Sequence, residues 1–196
     1  GNHSPCHPLD TLLKAALRLA EHSEIVFCFV GGGSEFAKVK QFQLHHGLHN
    51  IVTLPYQPLD QLSSSLSAAD LHVVVMGDPF VGILHPCKVY NILHLGIPFL
   101  YIVPTESHVV DLVQQWPLGG SAYLAPHGQL DLVVTHILTA TRIHRIESQE
   151  RRVFSKEVLC GQMAELLTRG ASAFADYPVA SRLESQVSTE SLRSKV

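Results

Sequence analysis

One lysine in this chain, Lys88, stands where a cation could meet a bound anion. It follows Pro86 at the start of a helix-patterned run, and the loop before it, Gly77 to His85, carries two glycines. Proline suits the first helical position because the NH it lacks would be unpaired there anyway. The free NH groups and the positive end of the helix dipole then face the loop, and Lys88 adds a full charge beside them. Glycines let a backbone approach a ligand closely. Ahead of the loop, Leu71 to Met76 is a valine-rich apolar run too short for a helix, which predicts a strand buried on both faces of a parallel sheet. Beyond the helix a second strand pattern runs to Tyr101. This order of strand, glycine loop, helix and strand makes an anion site that suits a phosphate. The competing reading of the same residues is an ordinary loop with a solvated lysine.

Two more loops follow strand patterns in the same way. Gly31 to Gly33 ends a strand and opens a helix; Gly31 and Gly33 match the first two positions of a dinucleotide fingerprint, but Phe36 occupies the third. A tight turn explains these glycines as readily as a ligand loop does. Pro55-Tyr56-Gln57-Pro58 offers an aromatic face held by two prolines, which could receive a base or could be a structural turn.

These loops can converge only at the carboxyl edge of a parallel sheet, and the rest of the chain supplies the required alternation of helix and strand. Leu9 to Ala20 predicts a helix with Leu9, Leu12, Leu13, Ala16, Leu17 and Ala20 on its buried face. Ile25 to Val30 is a strand, Ser34 to His46 a helix closed by Gly47, Asn50 to Leu54 a strand, and Leu59 to Ala69 a helix. Helices are expected at Ser107 to Gln115, Leu130 to Arg142 and Glu147 to Thr168, with a weak strand at Ala122 to Leu124. The fold class is therefore α/β, a doubly wound parallel sheet of Rossmann-like type, in one domain over 1–175. The serine-rich, charged stretch 176–196 has little apolar area to offset ordering and is expected to be a flexible tail.

Composition narrows the function. A net charge of -3 and a pI near 6.5 give no basic field for nucleic acid. Hydrophobic residues at 46% provide a sizeable core, yet no apolar run approaches the roughly 18 to 20 residues that span a bilayer, so a cytoplasmic location is expected. The four cysteines are scattered without a CxxC pair, which fits reduced thiols. Thirteen histidines invite a metal reading, but His45 and His49 lie at a helix end with no carboxylate spaced to complete a ligand set. Ser107, His108 and Asp111 crowd one helix start, where capping by Thr105 or Ser107 explains them better than a nucleophilic triad. Trp116, Pro117, Gly119 and Gly120 read as a helix end packed on the core.

Taken in order, GNH, LDTLLKAA, FVGGG, GLHNIVTLPYQPLDQL, AADLHVVVM, FVG, HPCKVYNIL and GIPFLYI resemble the C-terminal half of glycosyltransferases with the double-Rossmann GT-B fold, of the family 4 retaining kind that builds surface polysaccharides. The resemblance runs from Gly1 to about Arg142. It implies a hexosyltransferase that transfers a sugar from a nucleotide-sugar donor, expected to be UDP-linked, to a saccharide or lipid-linked acceptor. The nucleotide-sugar is then a substrate, with no resident cofactor and no metal. The implied roles place Gly32 and Gly33 near the donor and Tyr56 and Gln57 along the nucleobase. Phe80, Val81 and Gly82 meet the diphosphate through their backbone, and Lys88 is the catalytic diphosphate contact. Ser107 lies near the transferred sugar. Many relatives carry a pair of glutamates on this segment, the second holding the ribose; here Ile83 and Asn91 stand at those positions, leaving an asparagine amide for the ribose hydroxyls. Cys87 replaces a usual serine.

The resemblance also implies that the domain's first, central strand and the acceptor domain precede Gly1. The chain is thus expected to be a fragment, inactive alone, whose full-length form is compatible with peripheral association at the inner membrane face. Without the central strand, Ile25 to Val30 must pair directly with Leu71 to Met76 or leave the sheet partly open. Two other readings share the residues: half of a sugar-nucleotide epimerase, and a non-catalytic nucleotide-binding or interaction module.

Overall fold

The computed structural model describes residues 1–104, 107, 109, 110, 113, 122–140, 157, 158, 160, 161, 163–165 and 168. The chain divides into two compact units, 1–151 and 152–196. In the second, the described positions between 157 and 168 are helical, and the Thr168 hydroxyl donates to the Ala164 carbonyl at 2.6 Å. The expected boundary at 175, the tail 176–196, Thr105, His108, Asp111 and the segment from Trp116 to Gly120 lie outside the described residues.

The first unit is α/β, and its strands pair in parallel among the described residues. Helix α1 spans Asp10–Arg18, strand β1 Phe27–Val30, helix α2 Ser34–His46 and strand β2 Ile51–Leu54. A 3₁₀ turn at Leu59–Gln61 leads into α3, Leu62–Ser67, so the single helix expected there is split into two short pieces. Strand β3 covers His72–Val75, α4 Lys88–Leu95, β4 Phe99–Ile102, β5 Ala122–Ala125 and α5 Leu130–Ala140. Residues 141 and 142, which the sequence included in α5, are outside the described set.

The strands form two sheets. β1 pairs with β2 from Phe27 opposite Ile51 to Val30 opposite Leu54. β4 lies between β3 and β5, with Phe99 opposite both His72 and Ala122. No ladder joins β1 to β3, so of the two arrangements expected for this sheet, the open one is found. Residues 1–8 instead run between the carboxyl ends of these strands. Asn2 forms a parallel bridge with Gly32, the Gly1 nitrogen donates to the Val30 carbonyl, and the Gly77 nitrogen donates to the Cys6 carbonyl at 2.9 Å.

Burial follows the sheet. Every residue of β4 is buried, as a strand covered on both faces requires. In β1 and β2 the inner face, Phe27, Phe29 and Ile51, joins the core, whereas Cys28, Val52 and Leu54 are exposed. Helix α1 packs on α5 and α2. Its buried face is Thr11, Leu12, Leu13, Ala15 and Ala16, rotated from the expected one: Ala15 is fully buried while Leu17 is exposed. Packing against α5 as well as the sheet widens the covered stripe on the Ala15 side, and a methyl group permits the close approach. Buried Asn50 fastens the end of α1, its Nδ2 donating to the carbonyls of Ala16 at 2.8 Å and Leu19 at 3.3 Å.

Caps set the helix ends. α2 closes at Gly47, φ 61°, with the Leu48 nitrogen donating to the Gln43 carbonyl at 3.0 Å, as its sequence predicts. The start of α4 differs from expectation. Pro86 is not its first residue; Cys87 is the cap and Lys88 opens the helix. The Val89 nitrogen donates to the Pro86 carbonyl at 2.9 Å, so the first turn is wound tightly in 3₁₀ fashion and regular helix begins after it.

A candidate anion site at the carboxyl rim

The carboxyl ends of β1 and β3 face each other across residues 1–8, and three imidazoles hold the carbonyls there. His3 donates through Nε2 to Val30 at 3.3 Å, His7 through Nδ1 to Val75 at 2.7 Å, and His127 through Nε2 to Met76 at 2.7 Å. A carbonyl only accepts, so each of these ring nitrogens carries the proton. The His3 ring is further fixed by stacking on Phe36 and tilting against Phe29, with centroids 5.6 and 6.0 Å away.

Lys88 reaches this rim from the first turn of α4. Its Nζ lies 4.0 Å from the point where a Cβ on Gly1 would stand, which sets the ammonium beside the N-terminal segment. The side chain is half-buried and, among the described residues, has no carboxylate partner; the ion pairs found there are Arg18–Asp131, Lys38–Glu35 and His22–Glu24. Loss of water pushes the ammonium below the ordinary lysine value. A partly desolvated cation without a counter-ion is the electrostatic condition for binding an anion.

The glycines divide by what approaches them. Gly31 and Gly33 have φ of 128° and 116°, and a Cβ on Gly33 would stand 2.4 Å from the His3 carbonyl oxygen. A Cβ on Gly77 would meet Pro8 at 3.2 Å and Cys6 O at 3.5 Å. The chain that comes close to these three is therefore the protein's own N-terminal segment. Gly32 faces Tyr56 instead, with Cε2 of that ring 3.1 Å from a notional Cβ, so glycine there lets the exposed phenol ring approach the loop closely. Gln57 uses its amide locally, donating to the Pro55 carbonyl at 2.9 Å.

The loop between β3 and α4 spends most of its NH groups internally. Asp78–Phe80 forms a 3₁₀ turn; Phe80 donates to Gly77 at 3.0 Å, Val81 to Asp78 at 3.4 Å, Ile83 and Leu84 to Phe80, and Cys87 to His85. The NH groups of Gly82 and Lys88 have no partner among the described residues. Of the expected row of backbone donors at Phe80, Val81 and Gly82, only the last is available to a ligand, because the turn closes on the other two.

Val81, Gly82 and Ser107 share one open cleft of about 230 Å³ with Met76, His85 and Tyr101. Lys88, His3 and His7 do not line it. The Ser107 hydroxyl accepts from the Val110 nitrogen at 3.4 Å, a helix-capping contact, and also hydrogen-bonds the buried Tyr101 phenol, which burial pushes up to about 12. Asn91 is exposed on α4, one turn beyond Lys88. Ile83, at 81% exposure, projects from the loop into solvent.

The structure thus brings together Lys88 with residues 1–7, Gly32 with Tyr56, and Val81 and Gly82 with Ser107. Sequence reasoning overlooked the rim histidines. Their signal is the spacing of His3 and His7 immediately ahead of α1; of the pair the sequence weighed for metal, His45 stands edge-on to His46, which packs on Phe42.

No family model matches the chain. Over 117 residues, 60% of its length, it is 31% identical to the putative colanic acid biosynthesis glycosyl transferase WcaI of Escherichia coli (strain K12). The matched stretch covers 28% of that relative, so the chain spans little more than a quarter of the protein it resembles. The similarity is to a glycosyltransferase, and the fold beneath it is a parallel, Rossmann-like α/β arrangement.

Proposed function

We propose that this chain is the donor-binding half of a retaining glycosyltransferase of the GT-B type, which transfers a sugar from a nucleotide-sugar, UDP-linked, to a polysaccharide or lipid-linked acceptor. The observation that carries the reading is Lys88: a half-buried ammonium at the carboxyl rim with no carboxylate partner among the described residues. The similarity to a glycosyl transferase supports it from a separate direction. Lys88 holds the diphosphate and stabilises the charge that develops as the nucleoside diphosphate departs, a contribution strongest at the transition state. The free NH groups of Gly82 and Lys88 are the backbone donors for the same anion. Tyr56, exposed beside Gly32, offers a ring on which a base can stack, and Asn91 supplies an amide for the ribose. The cleft beside Ser107 takes the sugar. The acceptor and the groups that complete transfer belong, in this reading, to a second Rossmann-like domain of the full-length protein.

Two observations favour a second reading. The internally spent NH groups of the loop, and the absence of glutamate at positions 83 and 91, suit a module that binds a nucleotide without transferring sugar. Calorimetric titration of the full-length protein with UDP tests both. Saturable binding lost in Lys88→Ala supports a donor site, and turnover of a nucleotide-sugar separates the enzyme from the module. Absence of saturable UDP binding refutes both.

A further inference from the structure

Lys88, His3 and His7 share the rim between β1 and β3, with His127 beside them on the Met76 carbonyl. His3 and His7 are half-buried, and each commits one ring NH to a strand-end carbonyl. The other nitrogens, Nδ1 of His3 and Nε2 of His7, have no hydrogen-bond partner among the described residues. The charged groups that face His7 are Lys88, from α4, and His3, from the N-terminal segment; β3 presents only a carbonyl. Among side chains, His3 is faced by Lys88 and His7, with the rings of Phe29 and Phe36 on its flanks. No carboxylate is among these neighbours. The carbonyl anchors fix both rings, so a second proton would turn each free nitrogen into a donor without a change of rotamer.

We propose that His3 and His7 complete the anion site, each drawing a proton from solution when a diphosphate binds at Lys88. The ligand is then held by an ammonium and by imidazolium NH groups together. This rests on the reading of the rim as a diphosphate site. In the free protein both imidazoles are held below the ordinary histidine value, chiefly by loss of water and then by neighbouring positive charge. They are therefore neutral near pH 7, and an arriving dianion reverses the balance by replacing repulsion among the cations with attraction.

The test is calorimetric titration of UDP into the full-length protein near pH 7, in buffers of low and high ionisation enthalpy, which counts the protons taken up. His7→Asn keeps an NH close to the position of Nδ1, and His3→Gln keeps one close to that of Nε2, so each variant retains its anchor and loses only titration. Thermal unfolding verifies that the variants are folded, and either single variant serves if the double one is not. UDP's own ionisation is common to all proteins and cancels in the comparison. The wild type is expected to take up more protons than the variants. It should also bind UDP about tenfold more tightly than the double variant near pH 6, the gap closing toward pH 8. Equal proton uptake and parallel pH profiles, with binding still abolished by Lys88→Met, overturn this proposal alone. Failure of the wild type to bind UDP at any pH overturns the diphosphate reading itself.

Discussion

Alanine at Gly33 tests whether residues 1–8 are seated in the rim as described. Gly33 has φ 116°, and its new Cβ would stand 2.4 Å from the His3 carbonyl oxygen and 2.6 Å from Oδ1 of Asn2. Neither distance is tolerable, so the backbone at Gly33 or the N-terminal segment must move. Holding a side chain in that backbone region costs about 1–3 kcal/mol. Moving the segment forfeits the hydrogen bond from the His3 nitrogen to Gly32 at 2.7 Å and that from the Glu35 nitrogen to His3 at 2.9 Å. Each is worth about 1 kcal/mol net, which brings the expected loss to about 3–5 kcal/mol. Gly47→Ala is the internal control: its φ is 61° and nothing lies within 4 Å of the added methyl. It incurs only the cost of the left-handed backbone, about 1–2 kcal/mol. Equilibrium urea unfolding of both variants gives the comparison directly. Equal losses, or a Gly33→Ala loss below about 1 kcal/mol, refute the seating of the segment. The same substitution pushes His3 from the rim, so weaker UDP binding should accompany the lost stability.

Lys88→Met should move stability and binding in opposite directions. Its folded ammonium is depressed by burial, so the charged form opposes folding below that depressed value and the opposition fades as pH rises through it. Removing the charge should raise the thermal midpoint near pH 7 while UDP affinity falls by about tenfold or more; a lower midpoint would show that the ammonium is paired after all. Acid should destabilise the fold before the carboxylates titrate. His3, His7 and His72 are all held below the ordinary histidine value by burial, so the unfolded chain binds protons first. Their contribution is complete above the unfolded value near 6.5 and is lost as pH falls toward the folded ones. Differential scanning calorimetry should show a midpoint that drops between about pH 7 and 5, and His72→Gln should reduce the slope. Asn50→Ala strips the carbonyls of Ala16 and Leu19 of their donor and should cost about 2–3 kcal/mol in denaturant unfolding; a loss under about 0.5 kcal/mol would mean that water replaces the amide.

Much of the site's frame was legible because it depends on local signals. The short valine-rich run of the third strand, the left-handed glycine after His46 and the position of Lys88 in a helix's first turn are each written within a few residues of where they act. The rim chemistry was not legible in that way. His7 and the carbonyl it holds are 68 residues apart, and His3 and Val30 are 27 apart. The NH groups of Phe80 and Val81 were expected to face a ligand, yet a 3₁₀ turn closes on them, since the residues 77–81 form their own hydrogen bonds. Periodicity along one element carries no information about either event.

By itself, then, the sequence determined which segments become strand or helix, that the strands are parallel, and that a lysine lies in the first turn of a helix after a glycine loop. Steric and hydrogen-bonding preferences within a few residues are enough for that. Tertiary structure alone decided that Gly31, Gly33 and Gly77 make room for the chain's own first residues and that β1 and β3 do not pair with each other. It also decided that two histidines share Lys88's rim. Those outcomes depend on which distant backbone atoms meet once the apolar faces are buried, and no local pattern specifies the meeting.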